Sequence, residues 1–270
     1  MKKKGIALVE RQYLFPFVLI TSLFFLWGFA HAILDVLNKH FQELLTITRT
    51  HSAMIQATMY MGYFIMAIPA GLFINRHGYR KGVVLGLLLY GIGSLLFIPG
   101  QYIASFNMFL FSLFVIGCGL TFLETAANPY VTELGARETA ASRLNFAQSF
   151  NGLGCIFAPI LTGLLLFSDE DKGASGNVAL PYAVMGVIVL LAALAFMRVR
   201  LPEIPHEEEV DSEGHRVGLW AHKLFVFGLV ALFAYEVSEI SINSFFINYV
   251  TEVGWMNARD ASLVLSFGGL

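Results

Sequence analysis

Charged residues are scarce in this chain. Asp, Glu, Lys and Arg make up 13% of its 270 residues, whereas a soluble domain usually carries about 25%. The two signs nearly cancel, with a formal net charge of −2, so no nucleic-acid partner is expected. Cysteine is scarce as well, and Cys118 and Cys155 both lie in apolar runs. They are interpreted as small packing residues, and neither a disulfide framework, a metal site nor a cofactor is expected.

Long apolar runs take the place of the missing charge, because 57% of the residues are hydrophobic. Each run is long enough to cross the ~30 Å hydrocarbon layer, which takes about 20 helical residues. The 25 glycines suit close helix–helix packing in lipid. The predicted fold class is therefore an all-α integral membrane helix bundle. Membrane spans are predicted at residues 13–38, 51–74, 83–103, 107–133, 144–168, 179–199 and 221–250.

The two ends of the chain need different interpretations. The lysine-rich start resembles the charged region of a signal peptide, but the apolar run after Tyr13 is too long and no small-residue cleavage site follows it. This run is interpreted as the first retained helix. An eighth span begins near Ala258, and only about a dozen residues of it precede the last residue, Leu270. The sequence is therefore interpreted as a truncated reading of a longer protein.

Lys and Arg in the short loops predict the orientation, because cytoplasmic loops carry an excess of them. With the N-terminus in the cytoplasm, 13 of the 17 Lys and Arg residues fall on the cytoplasmic side. The polar, proline-containing stretch after the sixth span falls on that side too, which is typical of a flexible linker. The predicted domains are a six-helix bundle at 1–200, a cytoplasmic linker at 201–220 and an incomplete second bundle at 221–270. The predicted location is the cell inner membrane, in a multi-pass arrangement.

A faint internal repeat relates the two halves of the first bundle. Gly62 precedes Pro69 by seven residues in span 2, and Gly152 precedes Pro159 by the same number in span 5. Spans 1 and 4 each carry a carboxylate. This pattern favours three-helix repeats within a six-helix half.

Polar residues recur at helical spacing along four of the predicted spans, so that each set shares one face. A single membrane Asn or Gln usually hydrogen-bonds to a neighbouring helix, but four polar faces together predict a cavity between the helices. The four faces carry Trp27, His31, Asp35 and Asn38; Thr121, Glu124 and Asn128; Asn145, Gln148 and Asn151; and Glu236, Glu239 and Asn243.

Asp35 and Glu124 are the strongest functional candidates. An ionised side chain at the centre of a span costs about 2.5–3.5 kcal/mol on insertion scales, and burial favours the neutral form of a carboxyl group. No Lys or Arg lies mid-span near either residue, so an ion pair within this bundle is not expected. Both carboxyl groups are predicted to bind and release protons.

The aromatic residues near Asp35 allow several interpretations. His31 lies one helical turn from Asp35 and can bond that carboxylate, bond a substrate hydroxyl or remain a packed, neutral side chain. Trp27 is either a platform for the C–H face of a sugar or a packing residue. Tyr60 and Tyr63, like Gln56 in the same span, are weaker candidates for the same cavity.

The loop after span 2 resembles the signature loop of the major facilitator superfamily. It runs from Gly71 to Lys81, and its matching residues are Gly71, Asn75, Arg76, Gly78, Arg80 and Lys81. The usual aspartate of this loop is Asn75 here. A charge-relay role for that position is therefore not expected.

Longer strings resemble the fucose permease branch of that superfamily, a group of sugar–proton symporters. They are Phe24-Phe-Leu-Trp-Gly-Phe-Ala30 with Asp35, Tyr63-Phe-Ile-Met-Ala-Ile-Pro-Ala-Gly71, Leu123-Glu-Thr-Ala-Ala-Asn-Pro-Tyr-Val131 and Arg143-Leu-Asn-Phe-Ala-Gln-Ser-Phe-Asn-Gly152; residues 235–249 are similar to the seventh helix of that family.

The resemblance implies a twelve-helix fold and a division of roles. Asp35 and Glu124 would handle the proton, and Gln148 and Asn151 would contact sugar. The family often has an Asn-rich stretch before the aspartate, where this chain has His31-Ala-Ile-Leu34. His31 is therefore a candidate replacement for those contacts. The predicted substrate-binding residues are Gln148, Asn151, Trp27, His31, Asn128, Glu239 and Asn243.

The predicted function is monosaccharide uptake coupled to proton entry by alternating access, with a monosaccharide, a proton and the lipid bilayer as partners. L-Fucose:H⁺ symport is the first choice, and a glucose/galactose or N-acetylglucosamine transporter is the alternative within the family. Rivals of another class are a drug antiporter, an uncoupled facilitator and a non-transporting membrane sugar sensor. An enzyme is not expected, because no nucleophile–base or metal constellation is visible, and a monomer is expected.

Overall fold

The computed structural model describes residues 7–44, 47–166, 179–199, 220 and 222–268. The lysine-rich start and the connection at 167–178 lie outside these residues. So does the predicted linker at 201–220, apart from Trp220. Throughout the described ranges every regular element is a helix, which confirms the predicted all-α class.

The nine α-helices of the described residues follow the predicted spans closely. The third span consists of two helices, α3 and α4, separated by one turn residue, Leu96. Short 3₁₀ turns at Arg11–Tyr13 and Arg137–Thr139 lead into α1 and α6. The helices are α1 (Leu14–Leu44), α2 (Arg49–His77), α3 (Tyr79–Leu95), α4 (Phe97–Ile103), α5 (Phe106–Glu133), α6 (Ala140–Leu166), α7 (Ala179–Arg198), α8 (Lys223–Glu252) and α9 (Ala258–Gly268).

Local sequence signals place several helix ends. The Thr48 hydroxyl accepts a hydrogen bond from the backbone N–H of His51 at 3.3 Å, and Ser105 does the same for Met108 at 3.4 Å. Such side chains satisfy N–H groups that have no partner within the helix. Gly78 ends α2 with a φ of 85°, a conformation that favours glycine. The chain can therefore turn at once into α3.

Six helical segments of the described residues are long and apolar enough to cross a membrane. α6 has 27 residues, which corresponds to about 40 Å at 1.5 Å per residue. Pro69, Pro129 and Pro159 lie inside helices, and membrane helices tolerate proline where neighbouring groups satisfy the freed backbone. The segments are Arg11–Gln42, His51–His77, Tyr79–Ile103, Phe106–Glu133, Ala179–Arg198 and Lys223–Glu252.

Helices α1 to α7 are held together by close helix pairs. α1 packs along α6, α2 along α5, and α3 against both α5 and α7. A methyl group on Gly62 of α2 would lie 2.7 Å from the carbonyl oxygen of Phe114 in α5. A methyl group on Gly154 of α6 would lie 2.7 Å from the backbone nitrogen of Phe29 in α1. Only glycine allows these backbones to approach so closely, as expected for helix packing in lipid.

The last two helices lie against α1 and α6. α8 is buried only in its second half, at Ser244, Ile247, Asn248 and Val250, where it meets α1. α9 packs against α6 and α8. The first half of α8 is largely exposed, so α8 joins the bundle at one end and leaves space beside α1 at the other.

Arg143, which begins the second turn of α6, is fully buried, although the sequence pattern assigns it to the cytoplasmic cations. Its guanidinium donates to the carbonyl oxygens of Val131 at 3.0 Å, Ala136 at 3.1 Å and Leu8 at 3.2 Å. It also donates to the carbonyl of Thr132 and to the hydroxyl of Thr139. One side chain thus joins the end of α5, the start of α6 and the segment before α1.

Candidate functional site

A cavity of about 600 Å³ lies between α1, α2, α5, α6, α8 and α9. Its volume is within the ~300–1,000 Å³ range of small-molecule sites. Four carboxylates line it, and no Lys or Arg is among the described residues that do so. The four are Asp35, Glu124, Glu236 and Glu239.

Asp35 sits where α1, α2 and α8 meet. One of its carboxylate oxygens accepts hydrogen bonds from the Gln56 amide at 3.1 Å and from the Ser244 hydroxyl at 3.2 Å. Three residues further along α1, the Asn38 amide donates to the backbone carbonyl of Ser244 at 2.8 Å. Gln42 in turn donates to Asn38 at 3.0 Å. Asp35 therefore binds neutral donors and also connects α1 to both α2 and α8.

Glu124 borders two cavities. It lines the central cavity and also a second one of about 620 Å³ between α2 and α5. Tyr63 is likewise common to both, and Asn128 lines the second cavity. Thr121, on the same helix face, lines the second cavity too, although its hydroxyl donates to the carbonyl of Gly117 at 2.8 Å. The half-buried carboxyl group of Glu124 thus borders open space on two sides.

Four aromatic side chains of α1 and α2 form a hydrogen-bonded cluster in the cavity wall. The Trp27 indole N–H donates to the Tyr63 hydroxyl at 3.0 Å. His31 Nε2 lies 2.9 Å from the same hydroxyl, and His31 Nδ1 lies 3.4 Å from the hydroxyl of Tyr60. His31 therefore pairs with two tyrosines rather than with Asp35. Tyr60 and Tyr63, the weaker candidates of the sequence pattern, are central to the site.

The polar residues of α6 separate into two places. Asn151 lines the central cavity and donates to the backbone carbonyl of Phe24 at 3.3 Å. Gln148 is exposed and donates to Asn128 at 3.4 Å, and it is not among the residues that line the central cavity. Asn145 is exposed as well. The three-residue spacing brings only Asn151 to the cavity, whereas Gln148 lies against the polar face of α5.

On α8, Glu239 and Asn243 line the cavity as predicted, and Glu236 lines it with them. The sequence analysis did not identify two further residues of the site, Cys155 and Ser244. Cys155 lines the cavity one turn after Asn151 on the same face of α6, and this spacing could have identified it as a lining residue. Ser244 faces Asp35 from α8, and no local signal distinguishes this serine from its neighbours.

The signature loop lies away from the cavity. The Arg80 guanidinium donates to the carbonyl oxygens of Phe196, at 3.1 Å, and Met197, close to the end of α7. It satisfies carbonyls that have no partner within that helix. Asn75, Arg76 and Lys81 are exposed, and Gly71 is half-buried. The loop therefore ties the α2–α3 turn to α7.

The two cysteines provide a direct test of the cavity. Cys155 lines it and is partly exposed, whereas Cys118 is 7% exposed and packs against Gly62. We expect a membrane-permeant maleimide to modify Cys155 and to leave Cys118 unmodified in the folded protein, as measured by mass spectrometry of peptides. Cys155→Ser should remove this label. Equal labelling of both cysteines would contradict the geometry.

Comparisons with known proteins agree with this architecture. The sequence profile of the Major Facilitator Superfamily matches residues 17–270. The glucose/galactose transporter of Brucella abortus biovar 1 (strain 9-941) is 35% identical over 259 residues, which cover 94% of this chain and 63% of that transporter. The L-fucose-proton symporter of Escherichia coli (strain K12) is 34% identical over 282 residues, which cover 95% of this chain and 64% of the symporter. The chain thus spans less than two thirds of the length of these curated relatives.

Two solved structures of transporters are also similar to this chain. The crystal structure of the Escherichia coli fucose:proton symporter matches with a TM-score of 0.72 and 32% identity, covering 95% of this chain and 68% of the symporter. A bacterial homologue of the human lysosomal transporter Spinster, in an inward-facing conformation, matches with a TM-score of 0.75 at 16% identity, covering 94% of this chain and 59% of that protein. At that identity the second match concerns the fold alone.

Proposed function

Because the chain belongs to the Major Facilitator Superfamily, we propose that the protein takes up a monosaccharide together with protons by alternating access. It lies in the inner membrane with its N-terminus in the cytoplasm. The first six spans form one bundle, and α8 and α9 begin the second. The substrates are a neutral sugar and H⁺, and the working unit is a monomer.

One observation carries this proposal: Asp35 and Glu124, from α1 and α5, line a single cavity in which the described residues include no Lys or Arg. Carboxylates at this depth are costly when ionised and unpaired. Protonation is the simplest way to neutralise them, and the bound proton then moves with the carrier. Coupling of uptake to a proton gradient follows directly from that arrangement.

The remaining lining suits a sugar. The amides of Asn151 and Asn243 can donate and accept hydrogen bonds, and the carboxylates can accept them from hydroxyl groups. Trp27 adds an apolar ring on which a sugar C–H face can pack. A few polar groups placed in an otherwise apolar wall are typical of small-molecule sites.

The contact between α1 and α8 supports alternating access. Asp35 and Asn38 both bind Ser244, and these bonds hold α8 against α1. Separation of α8 from α1 requires these hydrogen bonds to break. The carboxyl group that binds the proton is therefore also part of the contact that must open.

L-Fucose is the first substrate to test. The L-fucose-proton symporter and the glucose/galactose transporter are similar to this chain at nearly equal identity, which supports both classes of sugar equally. Glucose and galactose are therefore alternatives, and N-acetylglucosamine is a further one that the family resemblance implies.

We expect at least one of these four sugars to alkalinise a lightly buffered suspension of de-energised cells that express the protein. Symport removes a proton from the medium with each sugar that enters. Competition among the four sugars against the labelled form of whichever sugar is taken up would then rank the substrates, with cells carrying an empty vector as the control.

Three outcomes would contradict the proposal. Uptake without any pH change would indicate a facilitator, acidification would indicate an antiporter, and binding without flux would indicate a sugar sensor.

A further inference from the structure

Tyr60, His31 and Tyr63 form an unbroken row of hydrogen-bonding groups in the cavity wall, with the imidazole in the middle. The distances are 3.4 Å from the Tyr60 hydroxyl to Nδ1 and 2.9 Å from Nε2 to the Tyr63 hydroxyl. All three side chains line the cavity that Asp35 and Glu124 share.

The two ends of the row face different carboxylates. Tyr63 and Glu124 line both the central cavity and the neighbouring one between α2 and α5. Tyr60 lies one helical turn after Gln56, whose amide donates to Asp35.

The chemistry of the row allows two states of opposite polarity. A neutral imidazole has one N–H donor and one acceptor nitrogen. With hydrogen on Nδ1, His31 donates to Tyr60 and accepts from Tyr63, so the Tyr60 hydrogen is free to point into the cavity. With hydrogen on Nε2, His31 donates to Tyr63 and accepts from Tyr60, so the Tyr63 hydrogen is free instead. Trp27 donates to the Tyr63 oxygen in both states, because an indole N–H can only donate.

We propose that His31 is a proton-relay residue, which moves a proton between Glu124 and Asp35 through the hydroxyl groups of Tyr63 and Tyr60. This inference deepens the proposed symport, on which it rests. It gives His31 a role that differs from packing and from sugar recognition.

The transfer balances as four linked proton movements. Protonated Glu124 gives its hydrogen to the Tyr63 oxygen, and Tyr63 gives its own hydrogen to His31 Nε2. His31 then releases the hydrogen of Nδ1 to the Tyr60 oxygen, and Tyr60 gives its own to the Asp35 carboxylate. Glu124 ends ionised, Asp35 ends neutral, and His31 has changed tautomer without carrying a net charge. A water molecule or a sugar hydroxyl in the cavity completes the connection at either end.

The substitution His31→Gln distinguishes a relay role of this residue from a packing role. An amide supplies a donor group and an acceptor group, as a neutral imidazole does, but it does not exchange them as imidazole tautomers do. In membrane vesicles we expect His31→Gln to keep sugar counterflow, which needs no net proton transfer, and to lose proton-driven accumulation. One coupled proton at 100 mV supports accumulation of about 50-fold (~2.3 kcal/mol), and loss of coupling lowers it to about 1-fold. Tyr63→Phe, which removes one hydroxyl of the row, should show the same split.

His51→Gln is the matched control, because His51 is exposed at the start of α2, away from the cavity. The sugar used is the one that the wild-type protein accumulates best among L-fucose, D-glucose, D-galactose and N-acetyl-D-glucosamine. Accumulation by His31→Gln equal to that of the wild type would overturn the relay. Loss of both counterflow and accumulation, in His31→Gln as well as in Tyr63→Phe, would also overturn the relay. Such a result would indicate a structural or sugar-binding role.

A second measurement needs no transport. In ¹⁵N-histidine NMR of the purified protein, at a pH high enough to ionise Glu124 in the wild type, Glu124→Gln should shift His31 towards the Nδ1–H tautomer, because the new amide donates to Tyr63 as the protonated carboxyl group would. The His31 signal is identified by its loss in His31→Gln. An unchanged tautomer would overturn the relay. If no sugar were accumulated by the wild type, the proposed symport would fail while this measurement still tested the relay.

Discussion

Replacing Glu124 with glutamine is expected to abolish proton-driven sugar accumulation while leaving exchange of labelled for unlabelled sugar in place. The amide is nearly isosteric with the carboxyl group but cannot bind and release a proton. Glu124 lines the central cavity, where the described residues include no Lys or Arg. The substitution therefore removes the titratable group without leaving a cation unpaired. Accumulation should fall from about 50-fold to about 1-fold at 100 mV for one coupled proton.

Glu138→Gln is the matched control for this experiment. Glu138 is exposed in the turn that precedes α6, so the same chemical change there should leave accumulation at the wild-type level. The measurement is uptake of labelled sugar in energised vesicles, with membrane expression of each variant verified. Undiminished gradient-driven accumulation by Glu124→Gln would contradict the proposed role of Glu124 in coupling.

Replacing Arg143 with methionine is expected to destabilise the fold more than any surface substitution. The fully buried guanidinium donates hydrogen bonds to four backbone carbonyls and to the Thr139 hydroxyl. Hydrogen bonds to charged groups contribute about 1.5–3 kcal/mol each, and a buried acceptor left unsatisfied costs about 1–3 kcal/mol. A loss of about 3 kcal/mol or more follows, even if water reaches some of these carbonyls. The midpoint of thermal unfolding should fall by about 6–12 °C, at 2–4 °C per kcal/mol for a chain of this size.

Arg137→Met provides the comparison, since Arg137 is an exposed arginine in the turn before α6. Thermal unfolding in detergent, followed by the loss of monodisperse protein, measures both variants under the same conditions. Arg143→Lys should be intermediate, because an ammonium group keeps the charge but cannot reach as many carbonyls. Equal midpoints for Arg143→Met and Arg137→Met would show that the buried network contributes nothing to stability.

The helices were largely predictable from the chain alone. An apolar run long enough to cross a bilayer must form a helix there, because no other single segment satisfies its own backbone hydrogen bonds. Asp35 and Glu124 were identifiable by the same logic, since an ionisable residue inside such a run is rare. Ser105 shows that even a helix start follows from one hydroxyl group before an apolar segment.

Helical periodicity alone was less reliable for the cavity itself. It groups residues on one face but does not say what that face meets. Gln148 and Asn151 belong to one predicted stripe, yet Asn151 reaches the cavity and Gln148 lies against Asn128. α6 packs against α1, α5 and α9, and Gln148 binds α5 whereas Asn151 binds α1. Which side chain of the stripe faces the cavity therefore depends on interhelical geometry.

By itself, the sequence determined that this protein is a membrane helix bundle, where its helices lie, and that three of them carry carboxylates within the apolar span. These properties depend on local quantities, namely the length of apolar runs and the cost of charge in lipid. Only the tertiary structure decided that His31 pairs with two tyrosines, that Asp35 binds Ser244 of α8 and that Arg143 is buried. Arg143 donates a hydrogen bond to the carbonyl of Leu8, near the start of the chain. Asp35 and Ser244 are 209 residues apart in the chain. Partners so distant in sequence are set by how the helices pack, and no short pattern of residues records that packing.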